Sequence, residues 1–353
     1  MKTKVVFIRL LIIALVPMML FSCSTVNETI TKNDPEINDP NNISDELDLE
    51  IKAVDDGNII FYSYEDYYRY GPSIMKYEDG SMDAWFSSPG NNSSQWDWIT
   101  YRHSDDGINW SDEEVVLKPT PGSKDSCSVC DPGVVYFNGY YYMGYTSTDD
   151  YSGKGSNNSA FVARSEYPDG PYEKWNGEGW GGDPEPIIAY KGDPSGWGIG
   201  ELSFVIRDDD LLIYYTCFDE NGGSTGLYKA DLTENWPLTM RFKDTVLNHL
   251  HEDSLDVAYD TNLGLFLAFS IDYRMSESSR IALYASYDGK KFEEMDTSKD
   301  MIEDYAHNVG VAKSPIGYLD SSENILIGYA FGKDWGRWSA KFQNVRVFPD
   351  DKN

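Results

Sequence analysis

The run Cys130-Asp131-Pro132-Gly133-Val134-Val135-Tyr136-Phe137-Asn138-Gly139-Tyr140-Tyr141-Tyr142-Met143-Gly144-Tyr145-Thr146 is a hairpin written out in sequence. Asn138-Gly139 supplies the two central residues of a type I′ turn, both of which must take positive φ. The arms are apolar or aromatic, the pattern of strands covered on both faces. An acidic residue, Asp131, opens the first arm. Glu201-Leu202-Ser203-Phe204-Val205-Ile206-Arg207, followed by Leu211-Leu212-Ile213-Tyr214-Tyr215-Thr216, repeats the arrangement with Glu201 in front. A carboxyl group at the mouth of a buried strand sits where lost solvation and neighbouring charge shift its pKa.

The same succession, a hairpin and then shorter strands, returns at intervals of roughly fifty to seventy residues, the size of a four-stranded propeller blade. The openings fall at Pro72-Ser73-Ile74-Met75-Lys76-Tyr77, Asp131, Glu201, Asp256-Val257-Ala258-Tyr259 and Asn308-Val309-Gly310-Val311. Little helical periodicity follows the N-terminal segment. The sequence therefore predicts an all-β, five-bladed β-propeller over 56–353. Asn58-Ile59-Ile60-Phe61-Tyr62 is expected to complete the last blade beside Val345-Arg346-Val347-Phe348. Ser104-Asp105-Asp106-Gly107-Ile108-Asn109-Trp110 and Ser286-Tyr287-Asp288-Gly289-Lys290-Lys291-Phe292 share a Ser-x-Asp-Gly-x-x-aromatic pattern. It is expected to form a turn, with Asp accepting backbone donors, Gly at positive φ and the ring packed beneath.

Residues 1–22 read as a targeting segment: Lys2 and Lys4 precede an apolar run from Val5 to Phe21, interrupted by Arg9. Leu20-Phe21-Ser22-Cys23 resembles a bacterial lipoprotein processing site. That implies lipidation of Cys23 and anchoring to the lipid bilayer of a bacterial membrane, facing the periplasm or the cell surface. Segment 23–55, rich in Asn, Asp, Glu, Thr and Ser, is expected to be an acidic flexible tether.

A net charge of −30 repels polyanions and argues against a nucleic-acid partner. The chain is expected to be a monomer. Its 26 Tyr and 10 Trp are many for so charged a protein, which leaves some as candidates for sugar-stacking surfaces. Apart from Cys23 there are three cysteines. Cys127 and Cys130 are candidates for a local disulfide ahead of Asp131. They lack the βαβ context of a redox pair and the second ligand pair of a zinc site. Cys217, within a strand, reads as a small buried apolar residue.

Asp131-Pro132 with its hairpin, Ala163-Arg164-Ser165-Glu166-Tyr167-Pro168-Asp169-Gly170-Pro171-Tyr172, and Glu201 at the next opening together resemble the five-bladed propeller glycosidases of glycoside hydrolase family 43, with the related family 32 behind it. The resemblance spans about residues 58–349. It implies an exo-acting glycoside hydrolase of the β-xylosidase or α-L-arabinofuranosidase type. Such an enzyme takes part in polysaccharide degradation by an inverting mechanism, on an oligosaccharide or polysaccharide substrate. In that family an Asp base, an Asp that tunes the acid and a Glu acid open the first three blades. By blade order Glu201 corresponds to the acid and Asp131 to the tuning residue. The chemistry needs one carboxyl protonated and another ionised, and crowding the two separates their pKa values.

The first blade departs from that pattern, because Arg69-Tyr70-Gly71-Pro72-Ser73-Ile74 contains no carboxylate. Asp97, between Trp96 and Trp98, is the candidate base, with Asp66 and Asp256 as weaker substitutes. Tyr70 as a nucleophile, in the manner of sialidases, is a second reading. A non-catalytic carbohydrate-binding propeller lipoprotein is a third. Substrate contacts are expected from Tyr70, Trp96, Trp98, Trp197, Asp256, His307 and Trp335. The resemblance places a histidine near a central metal ion in the fifth blade, so His307 is a candidate ligand for a structural Ca²⁺; the hydrolysis itself requires no cofactor. His249 and His251 are expected in a surface loop. No serine nucleophile elbow, phosphate loop or metalloprotease helix is present.

Overall fold

A computed structural model of the chain describes residues 48–64, 67–92, 95–152 and 155–349. The expected targeting segment, Cys23, nearly all of the tether and Asp66 lie outside the described residues. Two strands come first, β1 (Leu49–Ala53) and β2 (Asn58–Phe61). They are followed by β3 (Tyr70–Lys76), β4 (Met82–Asn92), β5 (Gln95–Ser104) and β6 (Glu114–Leu117), paired antiparallel in that order. A second antiparallel sheet holds β7 (Ser128–Phe137), β8 (Tyr140–Thr148), β9 (Ser159–Ser165) and β10 (Glu173–Lys174). A third holds β11 (Gly198–Arg207), β12 (Asp210–Asp219), β13 (Gly222–Asp231) and β14 (Arg241–His249). The fourth is built from β15 (Asp256–Asp260), β16 (Leu265–Asp272), β17 (Arg280–Ser286) and β18 (Glu293–Glu294). The short β19 (Asp296–Thr297) leads to β20 (Ala306–Lys313), β21 (Tyr318–Leu319), β22 (Ile325–Phe331) and β23 (Ser339–Pro349). Strand β21 adds to the edge of the fourth sheet, while β20, β22 and β23 are joined to β3 by a short parallel pairing, Ala312 with Ile74 and Lys313 with Met75.

The architecture is all-β, as expected; among the described residues helical structure is confined to two short 3₁₀ turns, Trp236–Thr239 and Lys299–Met301. No helix among them is long and apolar enough to cross a membrane. The opening hairpin forms as its sequence requires. Asn138 (φ +51) and Gly139 (φ +85) link β7 to β8, with Phe137 opposite Tyr140. Strand β7 is buried on both faces, because apolar cores lie between successive sheets. Trp85 and Ile99 pack against Val134 and Met143, Val135 and Tyr142 against Phe204 and Ile213, and Val205 and Tyr214 against Val257 and Phe266. Beyond these, Phe269 and Leu283 meet Val311 and Ile327, and Ile74 and Phe86 meet Phe342. The innermost strands touch in turn: β3 with β7, β7 with β11, β11 with β15, β15 with β20, and β20 with β3.

One expectation about the chain ends changes. Leu49–Ala53, placed in the tether by sequence, is strand β1. Leu49 and Ile51 alternate with Glu50 and Lys52, and both apolar side chains are fully buried, a hydrophobic gain that favours an ordered strand. Strand β2 joins the sheet of β23 as expected, Asn58 opposite Phe342. Beside it β1 adds to the end of the same strand, with Ala53 opposite Val345 and Glu50 opposite Phe348. Both Ser-x-Asp-Gly segments are turns: the hydroxyls of Ser104 and Ser286 accept from the amides of Gly107 and Gly289, and Asp106 and Asp288 accept from the amides that follow.

Candidate active site

Four inner strands carry the same irregularity. The antiparallel register slips between Tyr70 and Ser73 in β3, Cys130 and Gly133 in β7, Gly200 and Ser203 in β11, and His307 and Gly310 in β20. In each slip one residue is left-handed: Gly71 (φ +56), Asp131 (+48), Glu201 (+51) and Asn308 (+49). Such bulges re-aim a side chain, and a non-glycine residue in this region costs about 1–2 kcal/mol, which packing must offset. Packing does so through the small residue two positions later. A β-carbon on Gly133 would fall 1.8 Å from the Leu202 carbonyl oxygen, and one on Gly310 equally close to that of Pro72. At the alternate positions Ser73 and Ser203 accept the amides of Val134 and Val257.

The bulges bring their side chains to one cavity of about 570 Å³. Glu201, Asp131 and Asp97, the three expected catalytic residues, all line it, together with Tyr70, Trp96, Trp197, His307 and Trp335. Two expected contacts do not. Trp98 does not line it: it follows Asp97 on β5 and so points to the opposite face from that residue, with the Lys118 ammonium 4.4 Å from its ring centroid. Asp256 is a bracket between strands: it pairs with Lys313 at 2.5 Å and accepts from the Ser203 hydroxyl and the Val311 amide, both at 2.7 Å.

Glu201 is 8 % exposed, its amide donating to Thr146 Oγ1 at 2.8 Å. Asn308 Nδ2 donates to its Oε1 at 2.8 Å, while Oε2 is buried without a hydrogen-bond partner among the described residues. Burial, then the charges of Asp253 and Asp131, push its carboxyl well above the usual range against the opposing pull of Arg274. Asp131 is equally buried, its amide bonded to Ser87 Oγ and its Oδ1 unpartnered. Burial raises it to about 6, the Cys130 thiol beside Oδ2 working in the other direction. Asp97, raised by burial too, has both oxygens occupied, Oδ1 by the Tyr68 hydroxyl at 2.6 Å and Oδ2 by that of Ser128 at 2.8 Å. That differs from the free base expected of it.

His307 is 1 % exposed with neither ring nitrogen hydrogen-bonded among the described residues, and its ring packs against Trp338 and Tyr70. Burial and the nearby Arg274 lower it to about 3, so the ring is neutral. The positive charge of Arg274 and two aromatic walls do not make a Ca²⁺ site, which needs several oxygen ligands. A second acidic group, His251, Asp272 and Glu294, is spanned by Arg280, which bonds Asp272 at 2.8 Å and Glu294 at 2.7 Å. His251 stacks on Tyr273 and His249 ends β14, so neither lies free in a surface loop. Cys127 and Cys130 are free thiols, as is the half-buried Cys217.

Residues that sequence reasoning missed complete the site. Arg274 lines the cavity and bonds the fully buried Asp253 at 2.7 Å. Asp253 also accepts the Asn308 amide at 2.9 Å. Tyr68 and Trp338 add to the aromatic wall, the Tyr68 ring centroid 5.3 Å from that of Trp338 and 5.8 Å from that of Tyr70. Asn308 had a readable signal: Asn308-Val309-Gly310 has the polar-x-small spacing of Asp131-Pro132-Gly133 and Glu201-Leu202-Ser203.

No family model matches the sequence, and no curated protein matches it. Its fold is similar to that of solved glycoside hydrolases. A family 117 glycoside hydrolase of the marine bacterium Zobellia galactanivorans superposes with a TM-score of 0.61 at 15% identity, covering 87% of this chain and 92% of its own. The endo-arabinase of Bacteroides thetaiotaomicron gives 0.55 at 14% identity, over 82% and 98%. The α-L-arabinofuranosidase of Podospora anserina gives 0.54 at 10% identity, over 85% and 97%.

Proposed function

We propose that this chain is a glycoside hydrolase built on a five-bladed propeller, with Glu201 as general acid and Asp131 as the ionised carboxylate. The succession of inner-strand contacts from β3 through β20 back to β3 supports the five-bladed reading. One observation carries the chemistry. Glu201 and Asp131 stand on adjacent inner strands in the same strained geometry, both line one cavity and each keeps one buried oxygen without a hydrogen-bond partner among the described residues, with Glu201 held protonated and Asp131 near 6. That separation is what glycoside hydrolysis asks of two carboxyl groups. Glu201 gives its proton to the glycosidic oxygen as the C–O bond breaks. Asp131 takes a proton from the water that bonds to the anomeric carbon. Asp97, tied to Tyr68 and Ser128, anchors the wall. In line with the resemblance to family 43, the reaction is exo-acting cleavage of a terminal pentose, of the β-xylosidase or α-L-arabinofuranosidase kind, with inversion. In this reading the chain works as a monomer tethered through lipidated Cys23 to a bacterial membrane.

The sialidase-like alternative is weaker, because burial and the charges of Asp97, Cys130 and Asp131 hold the Tyr70 phenol far from ionisation. A carbohydrate-binding protein without activity is favoured by one feature, Gly71 where a carboxylate would open the first blade. A panel of aryl glycosides and plant or algal oligosaccharides separates the two. Hydrolysis lost by at least a hundredfold in Glu201→Gln supports the enzyme. Saturable sugar binding with no turnover, in the wild type and in Glu201→Gln alike, overturns it.

A further inference from the structure

Arg274, Asp253, Asn308 and Glu201 are joined by consecutive hydrogen bonds. Asp253 is fully buried, and both its oxygens are engaged, Oδ1 by Arg274 Nη1 and Oδ2 by the amide of Asn308. That clamp holds Asn308 at φ +49 with its side chain 5 % exposed, and from there Nδ2 reaches Glu201 Oε1 at 2.8 Å. A protonated carboxyl has one carbonyl oxygen and one hydroxyl. An amide N–H on Oε1 makes that oxygen the carbonyl. The proton is then left on Oε2, the oxygen with no partner among the described residues. Without the amide the proton could occupy either oxygen and the carboxyl could turn.

We propose that Asn308, clamped by Asp253, is a positioning residue that fixes the acidic proton of Glu201 on Oε2, the oxygen that would release it to a glycosidic oxygen. The inference rests on Glu201 being the acid of the proposed reaction. Glu201 is also surrounded by other groups that titrate or carry charge: Asp131 from β7, Asp253 ahead of β15, Arg274 after β16, and His307 from β20, which lines the same cavity. A pH profile alone would mix their effects. Dependence on the leaving group isolates the proton transfer, since a good leaving group departs without protonation and a poor one does not.

The test uses phenyl, nitrophenyl and dinitrophenyl glycosides of whichever sugar the wild type cleaves. Asn308→Gly removes the amide while tolerating positive φ, and Asn308→Asp keeps its size. Both are expected to lower kcat on the phenyl glycoside by roughly tenfold to a hundredfold, within the usual reach of general acid catalysis, and on the dinitrophenyl glycoside by less than about threefold, with KM little changed. Equal losses on all three substrates, beside a leaving-group-dependent loss in Glu201→Gln, would overturn the role of Asn308 and leave the acid in place. Equal losses in Glu201→Gln itself would overturn the acid assignment, and the positioning role with it. Infrared spectroscopy gives a readout that needs no turnover. The carbonyl band of a buried protonated carboxyl should vanish in Glu201→Gln and shift in Asn308→Gly. A band unmoved in Asn308→Gly contradicts the hydrogen bond to Oε1.

Discussion

Gly71 faces the carboxylate of Asp131 across adjacent inner strands: a β-carbon at position 71 would stand 3.1 Å from Asp131 Oδ1. The glycine occupies the bulge position that holds Asp131, Glu201 and Asn308 elsewhere. Strand β3 thereby carries no functional group at this position, and no side chain from residue 71 presses on Asp131 Oδ1.

Gly71→Ala should therefore act at two levels. The left-handed backbone costs an alanine about 1 kcal/mol, a drop in Tm of roughly 2–4 °C. The methyl group also crowds Oδ1, and kcat/KM should fall by about tenfold or more, a factor worth about 1.4 kcal/mol of transition-state stabilisation. Calorimetry and kinetics on the same preparation separate these effects. Full activity in Gly71→Ala would show that this edge of Asp131 takes no part in the reaction.

The pH dependence of kcat/KM should be bell-shaped. Activity needs Asp131 ionised, so it rises with an apparent pKa near the value of about 6 that burial gives this group. It needs Glu201 protonated, so it falls only at the high pH where that buried carboxyl finally ionises. Asp131→Asn should remove the acidic limb along with most of the rate. A profile already level by pH 5 would place the ionised carboxylate elsewhere.

Stability should carry the same signature with a definite sign. A raised carboxyl holds its proton in the folded chain to higher pH than in the unfolded one, so it costs nothing below the ordinary carboxylate range. Its cost then grows as pH climbs toward the folded value. For Asp131 that window runs from about 4 to about 6. Asp131→Asn should gain stability over the wild type across this interval, by on the order of 2 kcal/mol at its upper end. Denaturant melts at the two ends of the window measure it, and an identical slope in both proteins contradicts the shift.

Lys313 bonds Asp256, Ser203 Oγ and the Val257 carbonyl from a site only 5 % exposed. Lys313→Met leaves Asp256 without its counter-charge and should cost about 3 kcal/mol, the usual penalty for breaking a buried pair. Specific activity of the folded fraction should persist, since neither residue lines the cavity. A rise in KM with stability intact would return Asp256 to the substrate site.

Trp335 is 79 % exposed at the cavity rim and packs edge-on against Trp338 at 5.0 Å. Trp335→Ala should raise KM for an oligosaccharide by several-fold, in line with about 1 kcal/mol for an aromatic contact, and leave the melting temperature unchanged. An unaltered KM on every oligosaccharide tested excludes a stacking role.

What the sequence disclosed follows the reach of each interaction. The Asn138-Gly139 turn is local chemistry, so its hairpin could be read directly. Glu201 and Asp131 were legible because a carboxylate ahead of a wholly apolar strand is costly anywhere but at a shared mouth. Asp253 was not, since the fourth unit opens at Asp256 as expected and Asp253 lies in the connection ahead of it, where only tertiary pairing with Lys313 and Arg274 tells the two apart. Arg274 sits on a connection flanked by the left-handed Tyr273 and Met275, a course that no periodicity encodes. The strand Leu49–Ala53 is too short to stand out from its polar surroundings and gains order from its distant partners β19 and β23.

That last pairing also sets a timetable. Because β1 and β2 both pair with β23, far along the chain from them, the sheet they belong to is complete only once that distant strand is in place. Contacts between such distant segments are slow to form. Folding should therefore finish in a late step that joins the first two strands to β23.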